Sequence, residues 1–402
     1  MTEEARFLRR LYSWSFATRV SIGLLGWFAT RFINIPLLQD AVYYETVAAG
    51  VANDWLHGRH AVWLQEARPH DPYLMVVMLA CCYTLTLGTR SFPLLIIVYS
   101  SVTSFMPKYV FLIGRQLGAS PSSAAKGAWL VALLPAFAFW SGALYKEGLV
   151  LLILAIIVYH AMLLQTGWRG RSLGILVAGI TGLLFLRFYL SIIVAGTVGL
   201  GLCMGHSRPG QPARGHLVLI RQAILVLLFV AGLTAFRFTE IAKVIPADSG
   251  ELLGQIQLSR YDLALTNSGY LGSTEMSTPG EAIRFLPLGL SHFLAVPFPW
   301  QFGSLRQNLA IPDTLIMVLL YPLILVGMLR GMQRNAQGTL LLVGISVALC
   351  CLYALLISNI GAAYRLRIQV WMLWCPFVGI GLSRPRVSAP LGAKYDVRGA
   401  NS

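Results

Sequence analysis

Long apolar stretches separated by short basic turns recur from Leu11 to Leu382, and this pattern limits what the chain can fold into. The chain is 56% hydrophobic and only 12% charged, with a mean hydropathy of +0.68. An ordinary soluble domain carries about 25% charge. Disorder is excluded, because disordered chains are polar. The expected class is an all-α polytopic integral membrane protein. The net charge of +15 then reads as basic loops held on the cytoplasmic side, with no nucleic-acid partner implied. The six cysteines sit in apolar stretches without a CxxC pair and read as small packing residues. The start, MTEEARFLRR, leads into an apolar segment without a small-residue cleavage site, as in an uncleaved signal anchor.

A spanning helix needs about 20 apolar residues. The expected spans are Leu11–Ile33, Ser91–Gly114, Gly127–Trp140, Leu144–Leu164, Leu173–Leu186, Tyr189–Met204, Leu217–Phe236, Thr314–Leu329, Thr339–Ile357 and Ile368–Leu382. An eleventh stretch, Tyr73–Gly88, is ambiguous by length. Charge arbitrates. With a cytoplasmic N-terminus and a non-crossing Tyr73–Gly88, the inside receives Arg6, Arg9, Arg10, Arg115, Lys126, Arg169, Arg171, Arg208, Arg214, Arg221, Arg330 and Arg334. The tail adds Arg384, Arg386, Lys394 and Arg398. The positive-inside rule therefore favours about ten transmembrane helices plus one re-entrant or interfacial helix, with both termini cytoplasmic. Residues 1–382 form one transmembrane domain with outer loops at about 34–90 and 237–313, and 383–402 form a cytoplasmic tail. Loops this long in a compact protein are usually functional. The run FLAVPFPWQF in the second loop reads as an interfacial element with an aromatic anchor.

Ionisable groups at membrane depth are costly and so are functional candidates. Four clusters stand out, all near the outer face. In QDAVYYETVAAGV, Asp40 opens a helical pattern, with Tyr43 and Tyr44 at the i+3 and i+4 positions that share its face, while Glu45 points elsewhere. Asp40 suits either a helix N-cap or a catalytic base. His57 and His60 nearby give only a weak metal pattern without a defined third ligand. In LLPAFAFWSGALYKEGLVLL, Lys146 and Glu147 interrupt a long apolar hairpin. They read either as an interface pair with Lys146 snorkelling, or as a cation held for an anionic ligand. Arg187 separates two short apolar runs, and Arg365 and Arg367 stand just before the last span. Short outer loops normally avoid arginine, and its fork matches phosphate. Carboxylates and cations at one face suit a lipid-linked phosphate as ligand and proton abstraction as chemistry. The sequence has no Walker A motif, no GxGxxG in a strand–helix context, no nucleophile elbow and no HExxH.

The acidic residue opening the first outer loop, followed by tyrosine and a small-residue helix, resembles the GT-C superfamily of membrane glycosyltransferases. Protein mannosyltransferase and lipid A aminoarabinose transferase relatives belong to it. The run Pro135 to Leu149, with Trp140, Ser141, Lys146 and Glu147, is similar to a segment of bacterial members, which often carry Lys-Asp there. Arg187 with Tyr189, and the arginines before the last span, also fit. The resemblance covers the first half well and the last span loosely. It implies a GT-C-like bundle in the inner membrane with a large first outer loop lying on the bilayer. It implies transfer of a sugar from a polyprenyl-phosphate donor to a lipid or glycan acceptor on the outer face, without a required cofactor. Asp40 would map onto the family's base, and Tyr44, Glu45, Lys146, Glu147, Arg187, Arg365 and Arg367 onto substrate binding. The chain departs from the family in its short length, its single Asp40 where many members carry an acidic pair, and Glu147 in place of aspartate. A polymerase of lipid-linked repeat units is the alternative in the same area. An anionic-lipid transporter is the alternative of a different class, disfavoured because no internal repeat is visible.

Overall fold

The computed structural model describes residues 2–59, 72–167, 169–203, 249–266, 268–274 and 276–383. Among these residues the regular structure is all helical, with a lone antiparallel bridge between Gly269 and Asn359 and no strand. The chain opens with α1 (Glu3–Phe32), α2 (Gln39–Leu56) and α3 (Tyr73–Leu85). Next come α4 (Phe92–Thr103), α5 (Met106–Gln116), α6 (Pro121–Leu133) and α7 (Pro135–Gly142). The middle of the chain forms α8 (Lys146–Thr166), α9 (Gly170–Leu184) and α10 (Phe188–Cys203). The remainder forms α11 (Ser249–Ala264), α12 (Pro279–Ala295), α13 (Leu305–Arg334), α14 (Ala336–Leu356) and α15 (Ile360–Gly381).

Among the described residues, four helical segments are long and apolar enough to cross a membrane: Phe92–Gln116, α8, Gln307–Arg334 and α14. The pair α6 and α7, bent by 57°, makes a fifth if it is counted as one span. The bend has a local cause. Pro135 removes a helical amide and pushes Leu134 into an extended conformation. The helices α1 and α15 have 30 and 22 residues, but their hydropathy falls short of the four.

These boundaries differ from those expected. The stretch Leu173–Leu186 becomes α9, with 15 residues, below the length a straight span requires, and Tyr189–Met204 becomes α10, which is described over 16 residues up to the edge of the described residues. The chain breaks between them at Arg187. The stretch Tyr73–Gly88 forms the 13-residue α3, also too short to cross, and packs against α2. The segment expected as the second outer loop is not a loop alone, since α11 and α12 lie within it. The expected span Leu217–Phe236 and the tail from 384 onward lie outside the described residues.

Burial orders the bundle. In its most apolar window, α8 is 83% buried inside the protein, whereas α13 is 28% buried, so α8 is central and α13 peripheral. The last helix, α15, packs along α13 and α6 and also touches α8. The turn between α7 and α8 is pressed onto α1. A Cβ on Gly142 would lie 2.4 Å from the Arg19 carbonyl oxygen, so only glycine permits that approach. The outcome is that the start of α8 and the start of α15 meet near α2.

Candidate functional site

Five side chains from four separate parts of the chain converge at that meeting point. At the start of α8, Leu144 adopts φ +58, a left-handed conformation unusual for a residue with a β-carbon. This turn places Lys146 and Glu147 in the first turn of α8. Gly148 then lets Tyr99 come close, since a Cβ there would meet the tyrosine oxygen at 2.5 Å. The Tyr99 hydroxyl donates to the Tyr145 carbonyl and accepts from the Leu149 amide at 3.2 Å. On the other side, Asn359 caps α15 by accepting from the Ala362 amide at 2.9 Å, which sets the second turn carrying Arg365.

Glu147 is the centre of the cluster. Its Oε1 accepts from Arg187 Nη2 at 2.5 Å and from Arg365 Nε at 2.6 Å. Arg365 Nη1 also donates to Asp40 Oδ2 at 2.5 Å. The Arg365 guanidinium lies over the rings of Trp140 and Tyr145, 5.7 and 5.5 Å from their centroids. Arg187 lies 5.7 Å from the Tyr189 ring centroid. Exposure falls inward across the cluster: 42% for the Asp40 side chain, 20% for Arg365, 6% for Arg187 and 0% for Glu147. Asp40 is thus the carboxylate a ligand can reach. Three cations (Lys146, Arg187, Arg365) face two carboxylates (Asp40, Glu147), leaving one positive charge when all are ionised. Arg187 Nε and Nη1 and Glu147 Oε2 are buried without a hydrogen-bond partner among the described residues. Buried donors of that kind are costly unless something accepts from them.

Several expected residues take different places. Asp40 is not the N-cap of α2. That position is Leu38, which makes no side-chain cap bond, and Asp40 lies inside the first turn. Its carboxylate also suits the positive end of the helix there. Tyr43 and Tyr44 do not share one face. Tyr43 is exposed, whereas Tyr44 is buried beside Arg365. Burial and the neighbouring Glu147 push the Tyr44 phenol upward, which keeps its proton on. Glu45 lies apart from the cluster. It pairs with Arg90 at 2.6 Å and accepts from the Tyr83 hydroxyl at 2.7 Å, joining α2 to α3.

Arg367 also leaves the cluster. Two residues from Arg365 on a helix, it points to another side, fully buried. It donates to the Phe293 carbonyl at 3.1 Å and to Thr314 Oγ1 at 2.9 Å. His57 is exposed and bonds the Asn53 carbonyl through Nδ1, while His60 lies outside the described residues. Among the described residues no group of three His, Cys, Asp or Glu is placed to hold a metal ion.

Three buried polar groups were missed by sequence reasoning. Arg19 is fully buried in the middle of α1 and donates to Ser15 Oγ at 2.5 Å. An arginine inside an otherwise apolar span was its signal. Arg260 is fully buried and donates to the carbonyls of Ala354, Leu355 and Ile357, capping the end of α14. Its setting in a polar loop gave no such signal. Asp313 accepts from the Tyr364 hydroxyl at 2.7 Å and is 2% exposed. No protein-family model matches the chain, and no curated protein matches it.

Proposed function

We propose that the chain is a membrane glycosyltransferase of GT-C type. It would cross the inner membrane about ten times and move a sugar from a polyprenyl-phosphate donor to an acceptor at the outer face. The observation that supports this reading most is the contact of Asp40, Glu147, Arg187 and Arg365, with Lys146 beside them. Residues 325 and 218 positions apart in the chain meet there. A purely structural bundle has no need of a net-positive polar cluster with unpartnered guanidinium donors next to an accessible carboxylate.

In the reaction, the acceptor hydroxyl oxygen attacks the anomeric carbon of the donor sugar. The bond from that carbon to the phosphate oxygen breaks, and the sugar inverts. Asp40 takes the hydroxyl proton. Its Oδ2 is held by Arg365, which leaves Oδ1 for the acceptor. The departing phosphate gains charge as the bond breaks, and Lys146, Arg187 and Arg365 stabilise it in a site shielded from water. Glu147 is enclosed and acts as the counter-charge that fixes both guanidinium groups.

The test uses membranes containing the full chain and a panel of radiolabelled polyprenyl-phosphate hexoses and aminosugars. The expected result is transfer from at least one donor to membrane-extractable product, lost in Asp40→Asn. Absence of transfer from every donor overturns the reading.

A further inference from the structure

A cleft of about 390 Å³ lies between α2 and the end of α3, and none of the residues of the ion cluster lines it. One wall is a stripe on α2 with Thr46, Gly50 and Asn53 at i, i+4 and i+7, which share a helix face. The other wall is Tyr83 with Gly88 and Arg90 from the turn after α3. Gly88 adopts φ +81, and this turn directs the chain so that Arg90 returns toward α2.

The chemistry of this cleft differs from that of the ion cluster. Glu45 grips Arg90 in a two-pronged pair, Nε to Oε1 at 3.0 Å and Nη2 to Oε2 at 2.6 Å. The charge of Arg90 is thereby cancelled, while Nη1 is not taken by Glu45 and the side chain stays 56% exposed. The Tyr83 hydroxyl is committed to Glu45. Thr46 donates to the Val42 carbonyl at 2.9 Å, so its remaining lone pairs face outward as acceptors. Asn53 offers both an amide donor and a carbonyl acceptor. The floor at Gly50 is open, since a Cβ there would meet no heavy atom within 4 Å. An anion would find a cation already neutralised. A metal would find no acidic group free of a partner. A hydrocarbon chain would strand the polar lining. A neutral ring carrying several hydroxyls satisfies mixed donors and acceptors around a small-residue floor, and the volume falls in the usual range of about 300–1,000 Å³ for small-molecule clefts.

We infer that this cleft is a sugar-binding subsite for a neutral glycan unit of the acceptor. At about 1.5 Å per residue, Thr46 and Asn53 lie about 9 and 20 Å from Asp40 along the axis of α2. The bound unit is therefore not the one that reacts. It holds the acceptor at a distance, and such remote contacts contribute binding that orients the reacting end. The acceptor role rests on the transferase reading, whereas sugar binding itself does not.

The experiment uses the full chain in lipid nanodiscs free of sugar-based detergent. The probes are methyl glycosides of hexoses and N-acetylhexosamines, with glycerol phosphate as the anionic comparison, read by saturation-transfer NMR without any donor. At least one glycoside is expected to receive saturation from the wild-type protein. Gly50→Leu fills the open floor without touching the ion cluster and abolishes the signal. Asn53→Ala, at an exposed position, weakens apparent affinity about 2–12-fold, as the loss of one hydrogen bond predicts. No glycoside signal from the wild type, an unchanged signal in both variants, or glycerol phosphate competing for the cleft overturns the proposal. A failed transfer assay bears only on the transferase reading, because this measurement contains no donor.

Discussion

Replacing Glu147 by Gln separates a structural keystone from a replaceable ion pair. The substitution keeps size and one acceptor oxygen but removes the charge. Glu147 is wholly enclosed, and its Oε1 serves two guanidinium groups at once. Arg187, 6% exposed, depends on Glu147 as its only ion-pair partner within the described residues. Breaking a buried ion pair by removing one partner costs about 3–5 kcal/mol, because the other charge is left without compensation. Arg365 is less affected, since Asp40 still holds it. Glu147→Gln is therefore expected to lose about 3–5 kcal/mol, nearly all of it through Arg187. Arg187→Met must cost less, because Glu147 keeps Arg365 at 2.6 Å. In the double variant both charges of the buried pair are gone, so neither is left buried without compensation. The double variant should thus be more stable than Glu147→Gln alone. Equilibrium unfolding of the purified protein in mixed micelles of increasing denaturing detergent, followed by tryptophan fluorescence, gives all three values. Strictly additive losses, or a loss below about 1 kcal/mol for Glu147→Gln, would show that the two arginines do not share this carboxylate.

Other expectations follow from the same geometry. Asp40→Asn should lower sugar transfer by about 10²–10⁴-fold, the usual loss with a general base, while the protein stays folded and membrane-inserted; full activity removes the base assignment. Arg365→Lys should raise the donor concentration needed for half-maximal transfer, because an ammonium cannot reproduce the fork, whereas Arg367→Lys should leave that value unchanged and lower stability instead; equal donor effects would contradict the divergence of the two side chains. Arg260→Ala strips three carbonyls at the end of α14 of their donor and should destabilise by about 1–3 kcal/mol in the same unfolding assay, with no change counting against the clamp. A reporter fused at Gly250 should read as outside the cytoplasm if the proposed topology holds, and a cytoplasmic reading reverses it.

The residues of the site were more legible in the sequence than their connections. Asp40, Lys146, Glu147 and Arg187 stand out because each interrupts or borders an apolar run, where a charge is expensive. Which carboxylate meets which cation is set by helix packing, and contacts that bridge most of the chain leave no mark in local spacing. The 57° break at Pro135 illustrates the difference. Proline marks the interruption in the sequence, but the direction in which α7 leaves depends on the glycine contact with α1. Span boundaries were harder to read for a related reason. Apolar length alone does not show where a helix is interrupted, as at Arg187 between α9 and α10.

Arg365 and Arg367 show what a finer reading of the same sequence yields. Treated as residues before a span, they form one basic pair. Treated as residues of a helix that begins at Ile360, they must diverge, because positions i and i+2 are about 200° apart around the axis. One then faces Glu147 and Asp40, and the other faces Phe293 and Thr314. The helix start is the missing datum, and it is written in the sequence as Ser358-Asn359, whose asparagine caps the first turn. Asn359 also donates to Thr266 and Ser268, so the same residue that starts α15 fastens it to the segment that follows α11. Arg260 secures the other side of that turn through the carbonyls that end α14. The orientation of Arg365 is thus held from outside the ion cluster, by contacts that carry no charge on the cluster itself. A change at Asn359 should therefore disturb the direction of Arg365 without altering the charge balance around Glu147, which makes the segment after α11 part of the structure that aims the site.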